Sequence, residues 1–354
     1  MEKIERLQQE LYKVLKKAKS DRRRISFFRF LCYGGGLVYF IGMIAMQVFT
    51  YSSGDTSFFY TLNPDPTFWE QYKMLIIIIP LFALIIIGGF GVSYFNKKYI
   101  IAEQTSIRRI IREMFPDAKC TLSPLYLPKT FLLQSNFFGG LDSRFASGYS
   151  YGSITLEKDN RKMTFHDVVV NEAKHESALS QTSIGGLLLV YKTLFKGMFA
   201  KRLENIASSF RGMFAEAQLE KKINGSVVIL PDHLESRLDY LAKNIQALKN
   251  VNGNKLVTLE DVEFERYFAV YARDEITARY VLTPAMMLRM TELKRKYNRD
   301  IMLSFNNDRF YFAVAMPEGF LTLGDASRTT DGGLKDLYDN IITASEIFNK
   351  LKIK

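Results

Sequence analysis

Two uncharged runs near the start of the chain constrain what the rest can be. From Phe30 to Gly54 no residue is charged, and FLCYGGGLVYFIGMIAMQVF supplies about the 20 positions that a helix rising ~1.5 Å per residue needs to cross ~30 Å of hydrocarbon. The second run, Met74–Phe95 (MLIIIIPLFALIIIGGFGVSYF), is far more hydrophobic and holds Pro80. Buried helices of soluble proteins carry a polar stripe, and the second run has none. The expectation is a two-helix transmembrane hairpin over residues 25–95, with spans at about 30–50 and 74–95. The first span is too far from the N-terminus for a signal peptide and is expected to stay attached. Glycines 34, 35, 36 and 42 in the first run and 88, 89 and 91 in the second would let two helices approach closely.

The flanks set an orientation. Arg22, Arg23 and Arg24 precede the first run, Lys97 and Lys98 follow the second, and the connecting loop holds Asp55, Asp65 and Glu70 against Lys73. By the positive-inside rule both ends face the cytoplasm, which predicts a multi-pass protein of the plasma (inner) membrane with both termini cytoplasmic. Anionic lipids are the partner these flanking cations suit. In residues 1–24, a basic amphipathic arm, Ile4, Leu7, Leu11, Val14 and Ala18 step by 3 and 4, a seam short enough to need a partner. A homo-oligomer is one way to supply it.

The chain has 354 residues, room for roughly two folded units at ~150 per domain. Its +11 charge invites either an anionic membrane or nucleic acid, and since so many cations flank the runs, no nucleic-acid partner is expected. With two cysteines and three histidines, a disulfide scaffold or a Cys/His zinc site is excluded as a design principle of the fold, and no metal or other cofactor is expected.

Residues 96–354 read as a cytosolic α+β domain of antiparallel hairpins and amphipathic helices, possibly two subdomains dividing near 250. YSYGSITLEKDNRKMTFHDVVVNEA reads as a hairpin turning at KDNR, and DIMLSFNNDRFYFAVAM as another turning at NNDR. SVVILPD is a buried-type strand, and LEDVEFERYFAVYA reads as a strand in which Phe264, Arg266, Phe268 and Val270 share a face. DHLESRLDYLAKNIQALK has helical spacing, and Thr283 with Pro284 opens a helix over PAMMLRMTELKRKYN. GGLKDLYDNIITASEIFNKLKIK has Leu337, Ile341, Ala344 and Phe348 in line. FKGMFA at 195–200 recurs as FRGMFA at 210–215, a local duplication too short for a solenoid.

The two runs, FRGMFA followed by VVILPD, and above all FERYFAVY and ARYVLTP resemble a family of bacterial two-span membrane proteins known as domain of unknown function three-one-three-seven. The resemblance extends from about Arg24 to Met316. It implies a bacterial, membrane-associated protein whose partners include other membrane proteins, LemA-like ones among them. It implies no catalytic residue.

Chemistry is thinly marked. Gly148-Tyr149-Ser150-Tyr151-Gly152 matches G-x-S-x-G, but a nucleophile elbow needs a strand before the serine and a helix after it, whereas here an alternating strand follows. A membrane-anchored serine hydrolase using Ser150 is the alternative to the leading expectation, a non-enzymatic interaction or regulatory module tethered at the membrane. His166 beside Asp167 reads as a strand histidine, and Glu260, Asp261, Glu263 and Glu265 as a solvated acidic edge. Arg266, Arg273, Arg279 and Thr283 around the TARYVLTP turn form the patch expected to receive a ligand or partner, since guanidinium groups and a helix start both favour anions.

Overall fold

The computed structural model describes residues 2–52, 68–138, 147–171, 208–232, 253–323 and 330–351. The chain divides into two compact units, one of residues 1–11, 104–175 and 205–354 and the other of residues 12–103 and 176–204.

The second unit is built on the larger parts of two long helices, α1 (Glu2–Ser52) and α2 (Phe68–Met114), whose residues 2–11 and 104–114 belong to the first unit; each helix joins a polar segment to an apolar one without a break. They pair antiparallel. Arg22 donates to the Tyr99 hydroxyl at 3.1 Å, Phe28 stacks on Phe95, and the Cys32 thiol donates to the Ile85 carbonyl at 3.2 Å. Ala18, Ile25 and Cys32, seven residues apart, are buried on α1, and Ile85 and Val92, also seven apart, on α2. That is the repeat of a coiled-coil seam. Gly88 and Gly91 sit at the crossing, where an added Cβ would lie 3.0 Å from Cys32 Cβ and 2.3 Å from the Phe28 ring. Of the arm's expected seam, Leu11 and Ala18 are buried and Val14 is half-buried.

Among the described residues no helix is long and apolar enough to cross a membrane. This overturns the transmembrane hairpin, and with it the multi-pass inner-membrane location and the cytoplasmic assignment of both ends. The physical reason lies in how the helices spend their apolar residues. One stripe closes the seam between them, Asp21 and Glu103 are buried along the same helices, and the charged segments continue each helix rather than bounding a separate span.

The first unit is dominated by one antiparallel sheet of ten strands: β1 (Lys119–Thr121), β2 (Leu125–Leu127), β3 (Ser147–Lys158), β4 (Arg161–Asn171), β5 (Ser208–Gln218), β6 (Ser226–Pro231), β7 (Lys255–Val257), β8 (Phe268–Ala272), β9 (Ile301–Asn306) and β10 (Arg309–Ala315). The order is β1-β3-β4-β5-β10-β9-β6-β8-β7, with β2 also on β3. The sheet therefore runs unbroken through strands from both sides of residue 250. Asp159 and Asn160, both at positive φ, turn β3 into β4, and Asn307 at φ 54° turns β9 into β10. Both expected hairpins are present because these residues tolerate left-handed backbone.

One sheet face buries Val168, Val170, Phe210, Phe214, Tyr311 and Met302 beneath Leu132, Phe137 and Phe138, which follow α3 (Lys129–Gln134) or belong to it. The opposite face buries Phe165, Met213, Ile229, Leu303 and Phe312. On that side Arg161 stacks on Phe348 of α7 (Thr330–Leu351), which lies beside α6 (Pro284–Tyr297) through Lys296–Glu346 and Lys350–Glu292 ion pairs. Leu337, Ile341, Ala344 and Phe348 are all buried, as their spacing required.

FRGMFA lies within β5, where Phe210, Met213, Phe214 and Ala215 are buried and a Cβ on Gly212 would sit 2.1 Å from the Val314 carbonyl oxygen. Its upstream copy at 195–200 and the helical pattern at 233–250 lie outside the described residues. One expected strand is shorter than read. Val262–Glu265 forms a turn of helix, α4, because the Asp261 carboxylate accepts from the amides of Glu263 and Phe264, and the strand begins only at Phe268, with the short helix α5 (Glu275–Val281) after it.

Candidate functional site

The polar ends of β9, β6, β8 and β7 meet at one end of the sheet. Asn306 pairs with Ser226 across β9 and β6, Ala272 pairs with both Val227 and Lys255, and the next residue in each direction is Arg273, Ser226 or Asn254. With Asn136, Gly225 and Asn307 these residues line a cavity of about 220 Å³. The local folding is dictated by its turns. Asn136 and Asn307 adopt φ of 59° and 54°, and Asn307 is held by its amide donating to the Gly225 carbonyl and its carbonyl accepting from Ile223. Asn306 Nδ2 donates to the Gln134 carbonyl at 2.9 Å, fixing the segment after α3 over this end.

Asn254 gives the cavity its character. It is 2% exposed and its Nδ2 donates to Ser226 Oγ at 3.2 Å, while its Oδ1 is buried with no hydrogen-bond donor. Arg273, on the next strand, is exposed at the rim. Among the described lining residues there is no carboxylate. The lining thus offers a cation and several side-chain amides.

A second polar row crosses the same face. Glu216 accepts from Arg309 at 3.2 Å and stands 4.0 Å from His166 Nε2, too far for a hydrogen bond. Neither ring nitrogen of His166 has a partner, and burial against Phe131 and Phe214 lowers its pKa from 6.5 to about 4. Burial also raises the Glu216 carboxyl, against the Arg309 charge. At neutral pH this histidine is an uncharged core ring. A larger cavity, about 370 Å³, lies between the β3–β4 turn, the end of β5 and Phe348, and its lining holds no buried, unpartnered polar atom among the described residues.

Of the patch expected from the sequence, the structure brings only Arg273 to the cavity. Arg279 pairs with Glu260 at 3.1 Å, Thr283 accepts from the Met286 amide at 3.3 Å as the cap of α6, and Arg266 follows α4 on the surface. The acidic edge is spent locally: Glu263 pairs with Arg295, and the Glu265 carboxylate accepts from the Leu259 amide at 2.5 Å. Ser150 sits within β3 between Leu125 and Val168, and its hydroxyl donates to the Gly152 carbonyl at 3.0 Å. That is a bulged strand, without the strand-to-helix turn of an elbow. Arg22 and Arg24 brace the helical pair over Tyr99 and Phe95, Lys98 lies over Tyr94, and Arg23 and Lys97 are exposed. Asn136, Ser226, Asn254, Asn306 and Asn307 were not singled out by sequence. QSN, NGN and NND are turn signals, and only the sheet register shows that three turns converge.

The fold and site define an antiparallel sheet domain with a polar cavity at one end, joined in one chain to a long helical pair. Residues 208–353 match a family model described as "Protein of unknown function (DUF3137)", so this stretch carries a domain of unknown function. No curated protein matches. Among solved structures, that of the mycobacterial trehalose monomycolate transport factor A, TtfA, is similar at 9% identity over 55% of this chain and 74% of that chain. Its TM-score of 0.26 is too low to carry an argument about fold or function.

Proposed function

We propose that the protein is a non-enzymatic interaction module whose helical pair receives an apolar helix of a partner protein. The observation that carries this reading is a second apolar stripe on α1 that α2 does not cover. Phe27, Phe30, Gly34, Leu37 and Ile41 step by 3, 4, 3 and 4, the spacing of a helix-packing seam, and Phe27, Phe30, Leu37 and Ile41 are all exposed. A Cβ at Gly34 would meet nothing within 4 Å, so the stripe has a notch where a partner helix can approach. On α2, Ile79, Ile86, Ile87 and Phe90 are likewise exposed. Contiguous exposed apolar surface of this kind marks an interaction site, because each large side chain gains about 1.5–3 kcal/mol on leaving water. The absence of an elbow around Ser150 favours binding over the hydrolase alternative.

The test is photocrosslinking in the native host, with a photoreactive residue at Leu37 in the open stripe or at Lys255 on β7. Crosslinks to another protein from position 37 and not from 255 support the reading. Equal yields from both positions, or none from 37, would sink it, and a product made only of two copies of this chain would replace the foreign partner by self-association.

A further inference from the structure

We infer that the partner helix received by α1 is acidic at one end and covers a cationic zone as well as the apolar stripe; this rests on the interface proposed above and adds the partner's chemistry to it. The exposed stripe does not begin at Phe27. Toward the N-terminus, Arg23, Ser20 and Lys16 continue the same steps of 4, 3 and 4, and all three are exposed. One side of α1 therefore carries cations for about 10 Å, from Lys16 to Arg23, and apolar groups for about 21 Å, from Phe27 to Ile41, at ~1.5 Å per residue. On α2 the exposed Ile86 and Phe90 give way to Ser93 and Lys97 in steps of 4, 3 and 4. Because the helices pair antiparallel, with Arg22 on Tyr99 and Arg24 over Phe95, the two cationic zones fall at the same end of the pair.

The acids of the pair leave this end unbalanced. In residues 12–30 and 79–103 they are Asp21 and Glu103, 4% and 2% exposed, so neither presents its charge at the surface. Asp21 lies 3.9 Å from Arg24, whereas among the described residues no ion pair holds Lys16, Arg23 or Lys97. A second copy of the chain fits poorly on this stripe. Laid parallel it would set cations against cations, and laid antiparallel it would press cations onto Leu37 and Ile41, where they lose water without gaining a counter-charge. A bilayer surface suits a helix whose cations flank its apolar face along the whole length, but here they lie beyond the end of the apolar row, on the same side. A partner helix that is apolar for about four turns and acidic for the next two complements both zones.

The experiment places benzoylphenylalanine at position 37 or position 20 of the full chain in the native host and sequences the adducts by mass spectrometry. The same protein is expected at both positions, and the segment caught from 20 is expected to carry Asp or Glu at helical spacing next to the apolar segment caught from 37. Charge reversal by Lys16→Glu with Arg23→Glu should lower the yield from 37 about tenfold, while Lys16→Arg with Arg23→Lys should keep it. Lys162→Glu with Lys255→Glu, the same change of net charge at exposed positions on the sheet, should leave it unaltered. Should the reversed variant not fold, the sequence caught from position 20 decides. An adduct from 37 that is indifferent to charge reversal, or a segment from 20 without acids, overturns this inference and leaves the interface standing. No adduct from 37 removes the interface and this inference with it. Adducts from 20 with anionic lipid, or with a second copy of the chain, overturn the acidic helix in favour of that occupant.

Discussion

Phe30 of the helical pair is 75% exposed, while Phe214 of the sheet is fully buried among Phe131, Phe137, Phe138 and Tyr311. The two side chains mark two uses of apolar surface in one chain. In the sheet unit both faces are covered, and polar groups collect at one end, where they shape a cavity. In the helical unit one stripe is closed between α1 and α2 and the other is left open. The sheet unit thus spends most of its large apolar side chains inside the chain, whereas the helical pair leaves a row of them exposed.

That difference can be broken most forcefully at Gly212. An added side chain there would collide with the Val314 carbonyl and the Met316 amide, backbone atoms that cannot step aside. Gly212→Val should cost at least about 4 kcal/mol and shift the urea midpoint of the sheet unit far down. Retention of the native midpoint would mean that β5 and β10 are not apposed as described.

Next in size is Asp167. It is fully buried, accepts a hydrogen bond from Arg211 Nη2 at 3.2 Å within an ion pair, and accepts from the Phe320 amide at 3.0 Å, so it latches Phe320 to the strands. Removing one partner of such a pair strands a buried charge. Asp167→Ala should destabilise the fold by about 3–5 kcal/mol in denaturant titrations. A cost below ~1 kcal/mol would show that water reaches Arg211.

Much of the sheet is legible in the sequence. Alternation and turn chemistry mark the β3–β4 and β9–β10 hairpins, and Thr283-Pro284 marks the start of α6, since these depend on neighbours along the chain. What depends on distant residues is not legible. The strand order, which places Asn254 beside Ser226 and Arg273, follows from pairings between segments tens of residues apart. Of the expected Arg266, Arg273, Arg279 and Thr283 patch, Arg279 pairs with Glu260 and Thr283 caps α6, local tasks that spacing alone does not reveal. The membrane reading fails for a related cause. Hydrophobic length alone does not tell whether a helix faces lipid or divides its apolar residues between a closed seam and an open one, and the seam appears only when α2 lies beside α1.

His166 sharpens the contrast from the pH side, because it is a buried base in the unit whose faces are sealed. Its folded pKa, about 4, lies below the unfolded 6.5, so the unfolded chain binds the extra proton in that window. Stability from this group is complete above pH 6.5 and is lost as pH falls toward 4, by about 3 kcal/mol over the interval. Melting temperatures measured across the window should fall on acidification, and His166→Phe should flatten that part of the curve. An unchanged slope in the variant would assign the acid sensitivity to carboxylates.

The smallest expected effect on folding is also the most discriminating, because it lies in the open stripe. Leu37 is 60% exposed, so Leu37→Ala removes little that the folded chain had taken out of water, and leucine and alanine differ little as helix formers. Its cost to the chain alone should stay within about 0.5 kcal/mol in urea titrations. The same substitution should nonetheless weaken capture of a partner, since the methyl groups lost are those a partner helix would cover. A surface residue with no role would leave both measurements unchanged, and a residue of the closed seam would lower stability first. Only a docking residue separates them, and a loss of more than ~1.5 kcal/mol from the isolated chain would return Leu37 to the interior of the fold and remove the open stripe from the argument.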